Sequence, residues 1–289
     1  MTSRYSFLTS RRWLGLIAAA VAISVVCALL GYWQWSRYQG RADQVALVEA
    51  NFDQDPVPLT DLVSRPGAEL DPAHQWRPVQ VQGRYLGEVV VLPQRGVAGN
   101  PADHVVGVLA VDVGDGPDWA VLVDRGWYTT DTFADHAAAQ ELPSGQVTTT
   151  MRLRPAEGPS PRELDAGQIH RLNPTQALTA ATGTEEDDSA GYVLATGIYG
   201  QLAAETEGGS DVVPAELNLL PRPVADLGSH LSYALQWWVF ALGLYVALVI
   251  LARREARDPR APAPVRRRAD ADEDEAIETQ IQASATSSA

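Results

Sequence analysis

A histidine stands at the start of a strongly apolar stretch, residues 229–242, which reads SHLSYALQWWVFAL. Ionisable side chains at a membrane boundary are costly, and they usually face the interior of a helix bundle or a cofactor. On a helix, His230 shares one face with aromatic and small side chains at three- and four-residue spacing: Tyr233, Ala234, Trp237, Phe240 and Ala241. Such a face could hold a planar macrocycle with iron at the imidazole nitrogen. Residue types alone favour the alternative, a histidine that caps the helix or forms hydrogen bonds in the head-group layer.

The rest of the sequence offers no familiar catalytic motif. It contains no Walker loop, no dinucleotide-binding glycine motif and no nucleophile elbow. The other four histidines lack metal-ligand spacing, so we expect them at the solvated surface: His74, His104, His136 and His170. Asp124 and Arg125 adjoin at a strand end, where residue types favour an ion pair that closes a turn.

Two long uncharged stretches indicate membrane spans. The first covers residues 13–35 and the second covers residues 231–252, which are 23 and 22 residues long. A helix of about 20 apolar residues crosses a hydrocarbon core of about 30 Å, so both stretches are predicted to be transmembrane helices in contact with the lipid bilayer. Aromatic residues cluster at the outer end of each span, as in an interfacial belt.

The arginines predict the orientation of these spans. Three precede the first span, at positions 4, 11 and 12, and seven lie between positions 253 and 268. Both termini are therefore expected in the cytoplasm of a bacterium, with residues 1–12 and 253–289 on that side of its plasma membrane. The stretch SRRWLGL is similar to a twin-arginine export signal, but no small-x-small cleavage site follows it, which favours an uncleaved anchor.

The segment between the spans is acidic. Residues 38–230 contain 28 acidic residues against 11 Arg, a net charge of −17, and all 22 basic residues of the chain are Arg. Such a surface repels polyanions, which argues against a nucleic-acid partner. The C-terminal segment 253–289 is rich in Ala, Pro, Ser and Thr, and its composition predicts a disordered tail.

Short alternating runs predict that the extracytoplasmic domain, residues 36–230, is mainly β, with the strands in a small antiparallel barrel or sandwich. Two strands are expected to join at Gly87–Glu88, and a hairpin is expected around the turn sequence GDGPD. Further strands are predicted from Gln146 and Gly191. A helix is predicted from Asn173, with Pro at its first position and Gly183 at its end. Loops are expected at 97–104, 156–168, 184–190 and 203–212.

Several of these stretches, in order from about residue 30 to 255, resemble the Surfeit locus protein 1 family of cytochrome c oxidase assembly factors. The resemblance lies in LGYWQWSR (30–37), WRPVQVQGRY with VVVLPQRG, VLVDRGWY and SHLSYALQWWVFAL. The sequence departs from the family pattern at Ser229, where Asn is frequent, and in the acidic TEEDDS run.

The resemblance implies a non-enzymatic, chaperone-like role in maturing the catalytic subunit of a haem-copper terminal oxidase of the respiratory chain. It also implies binding of haem a, with His230 in the place of the family's proposed iron ligand. Arg37 suits a haem propionate because its fork donates two charge-assisted hydrogen bonds to a carboxylate. Tyr233 and Trp237 would supply an apolar wall, and Gln34 a polar contact.

Two other functions remain open at this point. The chain could be a permanent accessory subunit of the oxidase without haem, or a haem-modifying or transport enzyme. An enzyme of that kind would be expected to carry several membrane histidines or a nucleophile, whereas only His230 lies near a span.

Overall fold

The computed structural model describes residues 5–114, 116–130, 136–162, 165–184 and 191–257. The chain divides into two units. A helical unit combines residues 1–38 with 228–289, and a sheet unit comprises residues 39–227. The predicted disorder of the tail beyond residue 257 lies outside the described residues, and so does most of the acidic run, at 185–190.

The described elements follow the predicted alternation of helix, sheet and helix. The helices are α1 (Arg11–Asn51), α2 (Leu59–Leu62), α3 (Pro174–Thr182) and α4 (His230–Glu255). The strands are β1 (Val57–Pro58), β2 (Pro78–Leu92), β3 (Ala102–Val111), β4 (Asp118–Thr129), β5 (Val147–Pro155), β6 (Tyr192–Glu207) and β7 (Ser210–Asp211).

Helices α1 and α4 contain the two predicted spans, and both are long and apolar enough to cross a membrane. Helix α1 does not end with its apolar stretch at Trp35 but continues to Asn51. The polar residues after Trp35 end the apolar character of the stretch, but they are mostly good helix formers and include no Pro before residue 56. The helix therefore extends into residues 36–51, which were predicted to belong to the mainly β domain.

The strands form one mixed sheet in the order β1-β2-β3-β4-β6-β5, with β7 beside β6. Strand β5 also pairs with β2, so the last strand in this order is hydrogen-bonded to the second strand. The expectation of an antiparallel sheet is wrong in two places, because β4 pairs with β6 in parallel and β1 pairs with β2 in parallel. A parallel pair requires a long crossover, and the chain between β4 and β6 supplies it with β5 and α3.

Most predicted strands are present, with two corrections. The hairpin of β3 and β4 is confirmed, as is the strand from Gln146. The two strands expected on either side of Gly87 are one strand, β2, whose register shifts between Leu86 and Val90. The expected loop at 203–212 is wrong, since β6 continues to Glu207 and β7 follows. Glycine marks a bulge in β2 rather than a turn.

Helix α3 is confirmed and covers part of the sheet. Asn173 accepts a hydrogen bond from the Gln176 N–H as N-cap, and Gly183 ends the helix in the left-handed conformation. Its Ala177, Leu178 and Ala181 pack with apolar side chains of β2, β3, β4 and β6. At Gly87, φ is +63°, and a β-carbon there would overlap the Ala181 carbonyl, so the bulge lets α3 approach closely.

Candidate functional site

The first residue of α4, His230, contacts α1 through its side chain. The Nδ1 atom of His230 lies 2.9 Å from Oε1 of Gln34. An amide oxygen only accepts hydrogen bonds, so it selects the tautomer in which Nδ1–H donates. In that tautomer Nε2 retains its lone pair and is able to bind a metal ion. The structure thus brings two of the predicted site residues into contact, Gln34 from α1 and His230 from α4.

Close packing of the two helices, α1 up to Tyr38 and α4, fixes this contact. The Ser24 hydroxyl donates to the Ala241 carbonyl at 3.2 Å, and Ala234 is fully buried. A β-carbon at Gly31 would overlap the indole of Trp238, so glycine is needed for the observed approach. Small residues at a helix interface allow such contacts. Trp238 is one of the aromatic residues expected in the interfacial belt, and it also packs between the helices, with its ring 6.2 Å from that of Trp35.

The remaining predicted site residues lie on the accessible surface of the helix pair. Arg37 is exposed, and its guanidinium lies 5.6 Å from the ring centre of Trp33, one helical turn earlier. Tyr233 is 49% exposed, and Trp237 is half-buried with its ring perpendicular to that of Phe240. Arg37 and Tyr233 therefore retain polar groups that a bound molecule could reach.

The opposite end of the helix pair contains a contact that sequence reasoning missed. The Trp13 indole N–H donates to Glu255 at 3.1 Å, and Arg12 lies 3.6 Å from the same carboxylate. Trp13 is only 1% exposed although it stands at the end of an apolar stretch. The sequence signal that could have indicated this contact is Glu255, an acidic residue among the arginines that follow the second span.

Within the sheet unit, the DRGW sequence forms two separate buried pairs rather than an ion pair at a turn. Asp124 accepts from His104 Nδ1 at 3.0 Å, and Arg125 donates to Glu205 at 2.7 Å. Arg125 is the additional residue of a β-bulge opposite Val105 and Val106, and a bulge re-aims the side chain it carries. The surface position expected for His104 is wrong, because His104 is 3% exposed.

Glu205 is the centre of a buried polar cluster. Its carboxylate accepts hydrogen bonds from the Tyr85 hydroxyl at 2.6 Å and the Thr149 hydroxyl at 3.1 Å, in addition to Arg125. Burial raises the pKa of Tyr85 well above its usual value, and the negative charge of Glu205 adds to the rise. Tyr85 therefore stays neutral and acts as a donor. The network satisfies a buried charge, which is a structural task.

Within the described parts of the chain, no group of three or more His, Cys, Asp or Glu is placed to hold a metal ion.

The family model described as the SURF1 family matches residues 21–242. The chain belongs to the SURF1 family. Uncharacterized SURF1-like proteins from Mycobacterium bovis and from two strains of Mycobacterium tuberculosis are each 32% identical over 264 residues, covering 89% of this chain and 89% of theirs. The SURF1 family is known in general for cytochrome oxidase assembly factors. The match covers the sheet unit and parts of both long helices, and it includes His230 and Gln34.

Proposed function

We propose that this SURF1 family member is an assembly factor that holds haem a for the catalytic subunit of a haem-copper cytochrome c oxidase. In this proposal the chain is not an enzyme. Helices α1 and α4 cross the plasma membrane of a bacterium, both termini lie in the cytoplasm and the sheet unit lies outside it. Family membership supports oxidase assembly, and the ten arginines that flank the spans on one side support the orientation.

One contact carries the haem part of the proposal: the His230 Nδ1–H donates to Gln34 Oε1 at 2.9 Å. A histidine that ligates a metal ordinarily donates its other ring N–H to an acceptor, which fixes the ring orientation and raises ligand basicity. A histidine that only caps a helix needs no such partner on a second helix. The Gln34–His230 pair therefore has the arrangement of a metal ligand and its supporting acceptor.

The nearby side chains suit the rest of such a group. His230 would hold the iron at Nε2, and the exposed guanidinium of Arg37 would bind a propionate. Tyr233 and Trp237 would contact the apolar ring, because both offer accessible aromatic surface on α4. The haem, when bound, supplies the redox-active iron that the oxidase needs, while these residues bind and orient it until transfer.

Absorption spectra of detergent-purified protein, produced in cells that make haem a, test this proposal. We expect His230→Ala to remove the haem absorption and Gln34→Leu to weaken haem retention about 10–100-fold, since the supporting acceptor is lost. His170→Ala, which changes a histidine of the sheet unit, is the matched control and should leave the spectrum unchanged.

An unchanged spectrum in the purified His230→Ala protein would overturn the haem role. In that case, copurification at fixed stoichiometry with mature oxidase would identify an accessory subunit without haem. Transient association with the immature catalytic subunit would support an assembly factor that binds only protein.

A further inference from the structure

The sheet unit contains a cavity of about 400 Å³ whose lining combines arginines with apolar side chains. Its lining includes Arg41 of α1, Arg154 of β5, Arg222 and the side chain of Trp76. Three of the 11 arginines of the acidic segment 38–230 therefore line a single cavity. Cavities of this size are large enough for a small ligand or a lipid head group.

Of the arginines that line the cavity, Arg154 is the best placed to bind an anion. Its guanidinium stacks on the Trp76 ring, with Cζ 3.8 Å from the ring centre, which fixes the plane of the fork. Among the described residues Arg154 makes no ion pair with a carboxylate, and its Nε is buried with no hydrogen-bond partner. Arg154 lines the cavity and is only half-buried, so an oxygen acceptor in the cavity could reach its side chain.

Trp76 adopts an uncommon backbone conformation to provide this stacking surface. Its φ is +69°, in the left-handed region that a bulky residue rarely adopts, and its N–H donates to the Leu153 carbonyl at 2.9 Å. Strain of this kind persists where the surrounding structure enforces it, and it is frequent at ligand sites.

The other arginines that line the cavity have partners of their own, and the side chain of Arg154 also interacts with the Tyr199 hydroxyl. Arg222 pairs with Asp53, and Arg41 donates to the backbone carbonyl of Asp226 at 3.3 Å. The carboxylate-bearing residues Glu49 and Asp226 also line the cavity, so they would limit it to one anionic group. Beside the cavity, Arg152 stacks on Phe52 with Cζ 3.7 Å from the ring centre, which adds a fourth cation to the same region.

Part of the cavity wall is apolar, and it includes an exposed aliphatic side chain. Val45 and Val48 of α1 line one part, and Val224 is 87% exposed, the largest exposed fraction of any large apolar side chain in the described parts of the chain. Exposed apolar groups next to cations suit an amphiphile, whose head group is charged and whose body is apolar.

The position of these residues along the chain favours a membrane lipid as the amphiphile. Arg41 follows Tyr38 by three residues on the same helix, and Asp226 precedes Gly228 by two, so both lie next to the segments that carry the proposed spans. We propose that this cavity binds the phosphate of an anionic phospholipid, with Arg154 and Arg41 as donors and Val224 against the acyl region. The proposal rests on the membrane insertion proposed above. Arginine forks match phosphate oxygens in geometry and charge.

Native mass spectrometry of the full-length, detergent-purified protein, titrated with phosphatidylglycerol, tests this site. We expect one retained phosphatidylglycerol per chain, with about tenfold weaker retention in Arg154→Gln and in Arg41→Gln. Arg84→Gln changes an exposed arginine of β2 outside the cavity and should retain the lipid as the unchanged chain does. Thermal unfolding of each variant establishes that the sheet unit is intact, and Trp76→Phe, which keeps an aromatic surface, should retain most of the lipid.

The proposal would be overturned if the three arginine variants and the unchanged chain all retained phosphatidylglycerol equally. Binding of inorganic phosphate alone, lost in Arg154→Gln while phosphatidylglycerol does not bind, would also overturn it and assign the cavity to free phosphate. If the chain purified without detergent, this would contradict the proposed membrane insertion. That result would be obtained before any lipid is added, so it is distinguishable from failure of the lipid site.

Discussion

The buried ion pair between Arg125 and Glu205 predicts a large stability effect when one partner is removed. Both side chains are fully buried and lie 2.7 Å apart. Arg125→Leu leaves the carboxylate of Glu205 without its charge partner, and we expect a loss of about 3–5 kcal/mol in the free energy of unfolding. Denaturation followed by fluorescence of the purified chain measures the loss.

A matched double change separates charge burial from packing. Arg125→Leu combined with Glu205→Leu removes both charges, so it should be less destabilised than Arg125→Leu alone. Equal or greater destabilisation of the double variant would mean that side-chain packing, rather than the buried charge, accounts for the single-variant effect.

The pair of Arg95 and Glu157 predicts a stability effect that depends on pH. Burial opposes ionisation of Glu157, but hydrogen bonds from Arg95 and from the Leu172 N–H outweigh burial and lower the pKa of Glu157. An acid with a lowered folded pKa stabilises the fold above its unfolded pKa of about 4.3, and this contribution is lost as pH falls through the folded pKa.

We therefore expect Glu157→Gln to lower the stability of the chain by about 1 kcal/mol at pH 7, because the partners are only partly exposed. The difference in Tm between this variant and the unchanged chain should shrink as the pH falls below about 4. A Tm difference that stays constant from pH 7 to pH 3 would show that charge on Glu157 does not contribute.

At the scale of elements, Gly31 should control the pairing of α1 with α4. Cysteines at positions 34 and 230, in a Cys27→Ala background, are expected to crosslink in membranes because the native side chains are in hydrogen-bond contact. Gly31→Leu should abolish that crosslink, since even a β-carbon there overlaps Trp238. Gly15→Leu is the control on the same helix, where a β-carbon would meet no atom within 4 Å. Crosslinking that survives Gly31→Leu would refute this packing.

Elements with local sequence signals could be predicted, whereas the pairing of distant strands could not. Helix α3 was predictable because its Asn173 cap, Pro174 and Gly183 are local signals. The hairpin of β3 and β4 was predictable for the same reason, from its turn. The parallel pairing of β4 with β6 was not, because it joins residues as distant as Trp119 and Val193, and no local pattern encodes such a partner.

The site residues divide in a similar way. His230 and Gln34 were identified because a polar side chain beside an apolar stretch is conspicuous in the sequence. The burial of His104 was not foreseen, since its local sequence on β3 gives no sign of its partner Asp124 on β4. The distinct roles of Trp237 and Trp238 depend on the rotation of α4, which adjacent aromatic residues leave undetermined.

At the scale of the whole molecule, the proposed orientation predicts which positions are accessible from outside the cell. In a Cys27→Ala background, a cysteine at Pro117, which is exposed between β3 and β4, should react with a membrane-impermeant reagent in intact cells. Pro117 is preferable to Gly114 in the same turn, because φ at Gly114 is +83° and a side chain there is strained. A cysteine at Arg257, after α4, should react only after lysis. The reverse pattern would invert the topology.

The sheet can be completed only after strand β6 has been synthesised. It is the last long strand to be synthesised, and it pairs with β4 on one side and with β5 on the other. Until β6 is available, both of these earlier strands present an unpaired edge, which is a template for association with other chains. A premature stop between Pro155 and Tyr192 therefore leaves two open edges, although all the earlier strands are complete. Such truncated chains should be lost to proteolysis or aggregation rather than persist as partly active protein.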